Sequence, residues 1–201
     1  MTARDAILAA LGGGDAGSAA AITARAAELV ASVERPAPAA ALADAFAAAL
    51  GKPSVGASFE AVAEAAGIED AVARYLAEQR LPPVVHPASP DFAWSNLALS
   101  PDLPIDGGVV VARAVAAVAE TGTLVIDTGP GRPMLPHFLA LHHIVIVHMR
   151  DLVARLEDIA EPAAIPRSRF WVTGVSGTTD IEGHYVRGAH GPRFLHVILA
   201  G

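Results

Sequence analysis

Residues 119–148 read AETGTLVIDTGPGRPMLPHFLALHHIVIVH, and the succession of residue types in this stretch decides the fold class. Leu124-Val125-Ile126-Asp127 and Ile144-Val145-Ile146-Val147-His148 are short runs rich in β-branched residues, the kind that form strands buried on both faces. Between them, Thr128 to Pro133 is rich in turn formers, and residues 133–141 read as a helix with proline in its first turn. Strand, loop, helix and strand together make the repeating unit of a mostly parallel α/β sheet.

The alternation continues in both directions. Upstream, residues 108–111 read as a strand and 113–120 as a short helix; downstream come a helix over 152–159, a strand over 169–173, a short helix near 179–182 and a strand over 195–199. Residues 68–80 form an amphipathic pattern with Val72, Tyr75 and Leu76 on one side, just ahead of the apolar pair Val84-Val85. Residues 54–67 suit a short helix and an edge strand equally. The first third differs: residues 3–11, 18–34 and about 39–50 are alanine-rich with apolar residues at helical spacing, broken by Gly12-Gly13-Gly14 and by Pro36 and Pro38. The expectation is an N-terminal helical extension over 1–52 and an α/β domain over 53–201. That domain would hold a mostly parallel sheet covered by helices on both faces, with ligands beyond the carboxyl ends of its strands.

Composition excludes several functions. Fourteen Lys and Arg stand against 21 Asp and Glu, a net charge of −7, so nothing draws the chain towards nucleic-acid backbones. With no cysteine it can form no disulfide, thiolate zinc site, cysteine nucleophile or cysteine-held iron–sulfur cluster. The apolar N-terminal run is too short to span a bilayer and contains Asp5, so the expected location is the cytoplasm, without membrane insertion.

Four segments could carry chemistry. In Ala119-Glu120-Thr121-Gly122-Thr123, Gly122 suits a helix end; the sharper reading places Glu120 at the mouth of the sheet as a catalytic carboxylate, with Thr121, Gly122 and Thr123 beside the ligand. In Asp127 to Pro133, Gly129, Gly131 and Arg132 form either a plain tight turn or an anion-holding loop at a helix start. In Thr173 to Glu182, Ser176, Thr178 and Asp180 are candidate ligand contacts, while Thr179 and Glu182 have capping-box spacing. In Gly188 to Arg193, His190 and Arg193 flank a Gly-Pro turn and could contact an anion. His137, His142, His143 and His148 cluster without any known metal-site spacing, so no metal is assigned. Trp94 and Trp171 read as core anchors.

Taken together, AETGT, the serine-centred loop Ser176-x-Thr178-x-Asp180-Ile181-Glu182 and Gly188-x-His190-Gly191-Pro192-Arg193, in this order, resemble the LutC/YkgG family of LUD (lactate-utilisation) domains over residues 81–201. The chain departs from that pattern at Val175, where proline is common, and at Gly177, where a basic residue is common. The resemblance implies a three-layer fold like the NagB/RpiA/CoA-transferase group. It also implies a non-redox subunit of a cytoplasmic L-lactate oxidation system, acting in assembly or small-anion binding. Iron–sulfur clusters would sit on its partners, an iron–sulfur LUD protein and a cysteine-rich oxidoreductase subunit. The rival expectation is an independent enzyme or sensor that binds a small carboxylate, CoA ester or sugar phosphate.

Overall fold

The computed structural model describes residues 2–10, 18–31, 37, 41–182 and 184–201. The chain divides into two compact units, residues 1–37 and 38–201. The first holds α1 (Ala3–Ala10) and α2 (Ala19–Ala31). At the start of α1 the Asp5 amide donates to Thr2 Oγ1 and the Thr2 amide donates to the Asp5 carboxylate, a reciprocal cap. The Gly12-Gly13-Gly14 breaker lies outside the described residues.

The second unit begins with α3 (Leu42–Leu50), β1 (Ala57–Val62), α4 (Ile68–Glu78), β2 (Val84–Pro87), β3 (Ala98–Leu99), β4 (Gly107–Arg113), β5 (Ala116–Val118) and β6 (Thr123–Thr128). It continues with α5 (Pro136–Leu139), β7 (Ala140–His148), β8 (Leu152–Val153), β9 (Ser168–Val172), β10 (Gly177–Thr179), β11 (Tyr185–Arg187) and β12 (Phe194–Ala200). Six strands form a central sheet in the order β1-β12-β7-β4-β2-β3, parallel at every pairing. A second sheet, β8-β5-β6-β9, is antiparallel except for the β5/β8 pair, and β10 with β11 makes a separate hairpin.

Alternation along the central strands separates two cores. Ile144, Ile146, Ile198, Val109 and Val111 pack with Ile68, Val72, Tyr75 and Leu76 of α4. Val145, Val147, Val197 and Leu199 point the other way, into a core shared with Phe46 and Leu50 of α3 and with Leu124, Ile126 and Leu152 of the second sheet. One face is thus covered by a helix, as expected, and the other by α3 and a second sheet.

Several local expectations are corrected. The helix expected over 113–120 is the end of β4 followed by β5, because sheet pairing of the buried Ala116, Ala117 and Val118 overrides alanine's helical preference. The helix over 133–141 shrinks to the single turn of α5, since β7 already begins at Ala140. Residues 152–159 form β8 and one 3₁₀ turn, Leu156–Asp158. Instead of a helix near 179–182 the chain makes the β10/β11 hairpin, where Asp180 Oδ1 accepts hydrogen bonds from the amides of Glu182 and His184. The open segment 54–67 resolves into β1 and a 3₁₀ turn, Ala65–Gly67.

α3, grouped by sequence with the helical extension, belongs to the second unit. Its ridge of Leu42, Phe46 and Leu50 needs a core, and Phe46 and Leu50 are fully buried in one, Phe46 meeting Phe59 of β1 edge-to-face at 6.2 Å. Burial of two such side chains contributes about 1.5–3 kcal/mol each.

Candidate functional site

A cleft of about 580 Å³ opens where the loops entering β7 and β12 meet the end of β9. Its rim is the loop Thr173 to Gly177 and the turn His190-Gly191-Pro192; its floor is His137, His143, Phe138 and Phe170. It sits at the amino ends of β7 and β12, the opposite edge from the one expected of a parallel sheet. The reason is the second sheet, whose β9 ends beside those strand starts and supplies a wall.

The rim is tied together by main-chain bonds. The Val175 amide donates to the Val55 carbonyl at 3.0 Å, the Ser176 amide to the Pro192 carbonyl at 2.8 Å, and the Gly188 amide to the Ser176 carbonyl at 2.9 Å. Ser176 Oγ donates to the His190 carbonyl at 2.7 Å, and Tyr185 Oη to the Val175 carbonyl at 2.9 Å. Two segments that the sequence treats separately, around Ser176 and around His190, therefore form one wall.

The floor is aromatic and uncharged. His137 Nδ1 and His143 Nε2 lie 3.1 Å apart, so one ring donates to the other, and Phe170 packs edge-on against His137. Burial pushes His137 down to about 4, with a smaller contribution from His86, and burial holds His143 well below the ordinary imidazole range. Both rings are neutral at pH 7, able to share hydrogen bonds with a hydroxyl or carbonyl group.

The AETGT segment reaches the cleft through hydroxyls, not through its carboxylate. Thr121 Oγ1 and Thr173 Oγ1 each lie 2.7 Å from Thr123 Oγ1, and Thr173 lines the cleft. Gly122, with φ of 74°, makes the β5/β6 hairpin turn and is no helix end; a Cβ there would meet the Leu50 amide nitrogen at 3.2 Å. Glu120 is exposed, accepts a hydrogen bond from the Leu156 amide at 3.3 Å and lines none of the described clefts. Replacing Thr123 with Val should cost about 1–3 kcal/mol, because the hydroxyls of Thr121 and Thr173 lose their common partner. A urea denaturation curve measures this directly, and an unchanged midpoint would show that water replaces the threonine hydroxyl.

The remaining candidates lie elsewhere. Asp127 forms a two-pronged ion pair with Arg169, at 2.7 and 2.9 Å. The amides of Gly129 and Arg132 donate to each other's carbonyls across Pro130-Gly131, with Gly131 at φ 70°; the loop is a closed tight turn in which these two amides are consumed internally. Arg132 pairs with Asp91 at 3.1 Å. Thr178 and Asp180 stand on the exposed hairpin and Arg193 is exposed beyond the rim. Among the described residues, Asp180, Glu182 and His184 could approach a metal ion together, and all three are exposed.

Sequence reading missed Phe138, Phe170 and Trp171 as parts of the site. Trp171 lines the cleft and is 49 % exposed, so it is no core anchor. The signal was its place one residue from the end of a strand that feeds a polar loop.

The LUD domain family model matches residues 108–200, the stretch that holds β7, β12 and the whole of the second sheet. The lactate utilization protein C of Deinococcus radiodurans is 30 % identical over 155 residues, which cover 68 % of this chain and 70 % of that one. The corresponding protein of an Exiguobacterium strain is 32 % identical over 140 residues, 63 % of this chain and 61 % of that one. A solved DUF162 family protein from Deinococcus radiodurans superposes with a TM-score of 0.60 at 21 % identity, covering 83 % of this chain and all of that one, a likeness of fold. The chain belongs to the lactate utilization protein C family.

Proposed function

We propose that the chain is the non-redox, ligand-holding component of a cytoplasmic system that oxidises L-lactate to pyruvate. The observation that carries this reading is the convergence of the Ser176 loop, the His190 turn and the Thr123–Thr173 hydroxyls on one cleft with a neutral imidazole floor. The relatives are named for lactate utilisation, which supports the choice of lactate in this reading. A small hydroxy- or oxo-acid suits the cleft: its hydroxyl or carbonyl group meets the His137 and His143 pair, and its carboxylate lies towards the His190 imidazole at the rim, whose Nδ1 stands 3.5 Å from the Asp106 carboxylate. Without cysteine the chain holds no thiolate-bound cluster, so electrons would pass through partner subunits, an iron–sulfur LUD protein and a cysteine-rich oxidoreductase. Glu120 stands off the cleft, which favours holding or presenting a ligand over catalysis by this chain. Kinship with the NagB/RpiA/CoA-transferase fold is part of the same proposal and accords with an α/β domain that binds small anions.

The test has two parts. Deleting the gene in its host should abolish growth on L-lactate, and the tagged chain should co-purify with iron-containing partners. In vitro, L-lactate or pyruvate at about 100 times its dissociation constant should stabilise the fold by about 2.7 kcal/mol. Ser176→Ala combined with His190→Ala should remove that gain. Normal growth of the deletion strain would overturn the pathway assignment; stabilisation that survives the double substitution would move the ligand elsewhere.

A further inference from the structure

A second cleft, of about 630 Å³, lies at the opposite edge of the central sheet, beyond the carboxyl ends of β4 and β7. Three arginines line it from three separate segments: Arg113 from the last residue of β4, Arg132 from the turn after β6, and Arg150 from the 3₁₀ turn after β7. Asp91, Asp151 and His148 complete its polar lining, and Trp94 and Ile68 supply an apolar wall.

Arg132 and Arg150 have carboxylate neighbours, Arg132 pairing with Asp91 at 3.1 Å and Arg150 approaching Asp151 at 3.9 Å. Arg113 does not: among the described residues no carboxylate lies within ion-pair distance of it. Its Nη1 donates to His148 Nε2 at 3.1 Å, its guanidinium lies 5.0 Å from the centre of the Phe92 ring, and its buried Nε has no hydrogen-bond partner. The imidazole that takes its hydrogen bond is a neutral acceptor, kept below its ordinary pKa by burial first and then by Arg150 and Arg113. A half-buried guanidinium whose direct contacts are an aromatic face and a neutral ring, with the Asp91 carboxylate acting on it only from beyond ion-pair distance, is weakly compensated, an arrangement that an anion at the guanidinium would complete. Cations reaching in from three segments surround a tetrahedral oxyanion better than a planar carboxylate, which one guanidinium fork satisfies.

We propose that this cleft is a phosphoryl-binding site, with Arg113 as its principal cation and Trp94 beside the organic part of a small phosphorylated ligand. The site is separate from the imidazole-floored cleft and does not depend on the lactate reading.

The two tryptophans allow a clean test, because Trp94 lines this cleft and Trp171 the other. In the full-length Trp171→Phe chain, Trp94 is the only tryptophan and its fluorescence is followed during titration with inorganic phosphate at ionic strength held constant with chloride. A saturable change is expected with phosphate, and none with sodium lactate or additional chloride. Arg113→Gln should weaken phosphate binding at least tenfold, and Arg150→Gln, at an exposed position, at least threefold with the far-ultraviolet circular dichroism unchanged. No saturable response, an equal response to lactate, or unaltered affinity in a folded Arg150→Gln chain together with unaltered affinity in Arg113→Gln would each overturn the proposal. If Arg113→Gln fails to fold, Arg150→Gln decides alone.

Discussion

Between pH 6.5 and about 4 the fold should lose most of its stability, read as a steep fall in the urea midpoint across that range. His137 and His196 are both displaced from 6.5 to about 4, and in each case burial is the main cause. His196 lies stacked on Tyr75 with ring centres 4.4 Å apart, its Nδ1 paired with Ser58 Oγ at 2.8 Å and its Nε2 buried without a partner. His137 is fixed against His143. In the unfolded chain each imidazole takes a proton near pH 6.5, whereas the folded chain refuses it until about pH 4. Their contribution is therefore fully present above pH 6.5, shrinks as protons load the unfolded state, and is gone by about pH 4. Each imidazole accounts for about 3 kcal/mol over that interval, and two together rival the 5–15 kcal/mol that holds a typical domain. His143 acts in the same direction. A midpoint that stays flat from pH 7 to 4.5 would mean that these rings take up protons without unfolding.

Replacement of Gly174 by Ala should destabilise the domain by roughly 3 kcal/mol or more and open the imidazole-floored cleft. Gly174 has φ of 105°, outside the range where side chains are comfortable, and an added Cβ would lie 2.6 Å from the Val55 carbonyl oxygen and 2.8 Å from its Cα. Those are backbone atoms, held in place by the Val175 amide that donates to the same carbonyl. The loop must therefore back away, taking Ser176 with it. Gly129→Ala is the matched control, because nothing lies within 4 Å of a Cβ there, and it should shift stability by less than about 0.5 kcal/mol. Equal urea midpoints for the two variants would refute the account of the rim.

How much of this was legible in the sequence depended on whether one segment alone determined the outcome. β7 and β12 were visible because strands buried on both faces read as unbroken apolar runs. β5 and β8 were not: Ala116-Ala117-Val118 and Leu152-Val153 are strands only because they pair with each other and because β5 pairs with β6, and pairing leaves no local trace. For the same reason half of the second sheet, β5 and β8, was read as helices, while β6 and β9 were read as strands. At the site, the Ser176 and His190 segments stood out through their glycines and polar residues, and both reach the cleft. Glu120 stood out equally and does not, since the turn at Gly122 sends the threonines inwards and leaves the carboxylate outside. Phe138, Phe170 and Trp171 carry no polar signal, and the meeting of α5 with β9 that assembles them is a matter of tertiary register. Arg113 was hidden inside a stretch read as a helix.

The placement of β12 bears on how the molecule is made. This strand, Phe194–Ala200, lies between β1 and β7, bonded to Ala57–Val62 on one side and to Ala140–His148 on the other. Until a ribosome has delivered residue 200, β1 has no neighbour in the central sheet and β7 presents a bare hydrogen-bonding edge beside exposed Ile144 and Val145. The growing polypeptide must wait, with these apolar surfaces uncovered, for β12 to arrive. Loops of such length close slowly, and uncovered strand edges invite association between chains. A stop introduced just before Phe194 would thus remove the middle of the sheet and leave β1 and β7 without the strand that joins them.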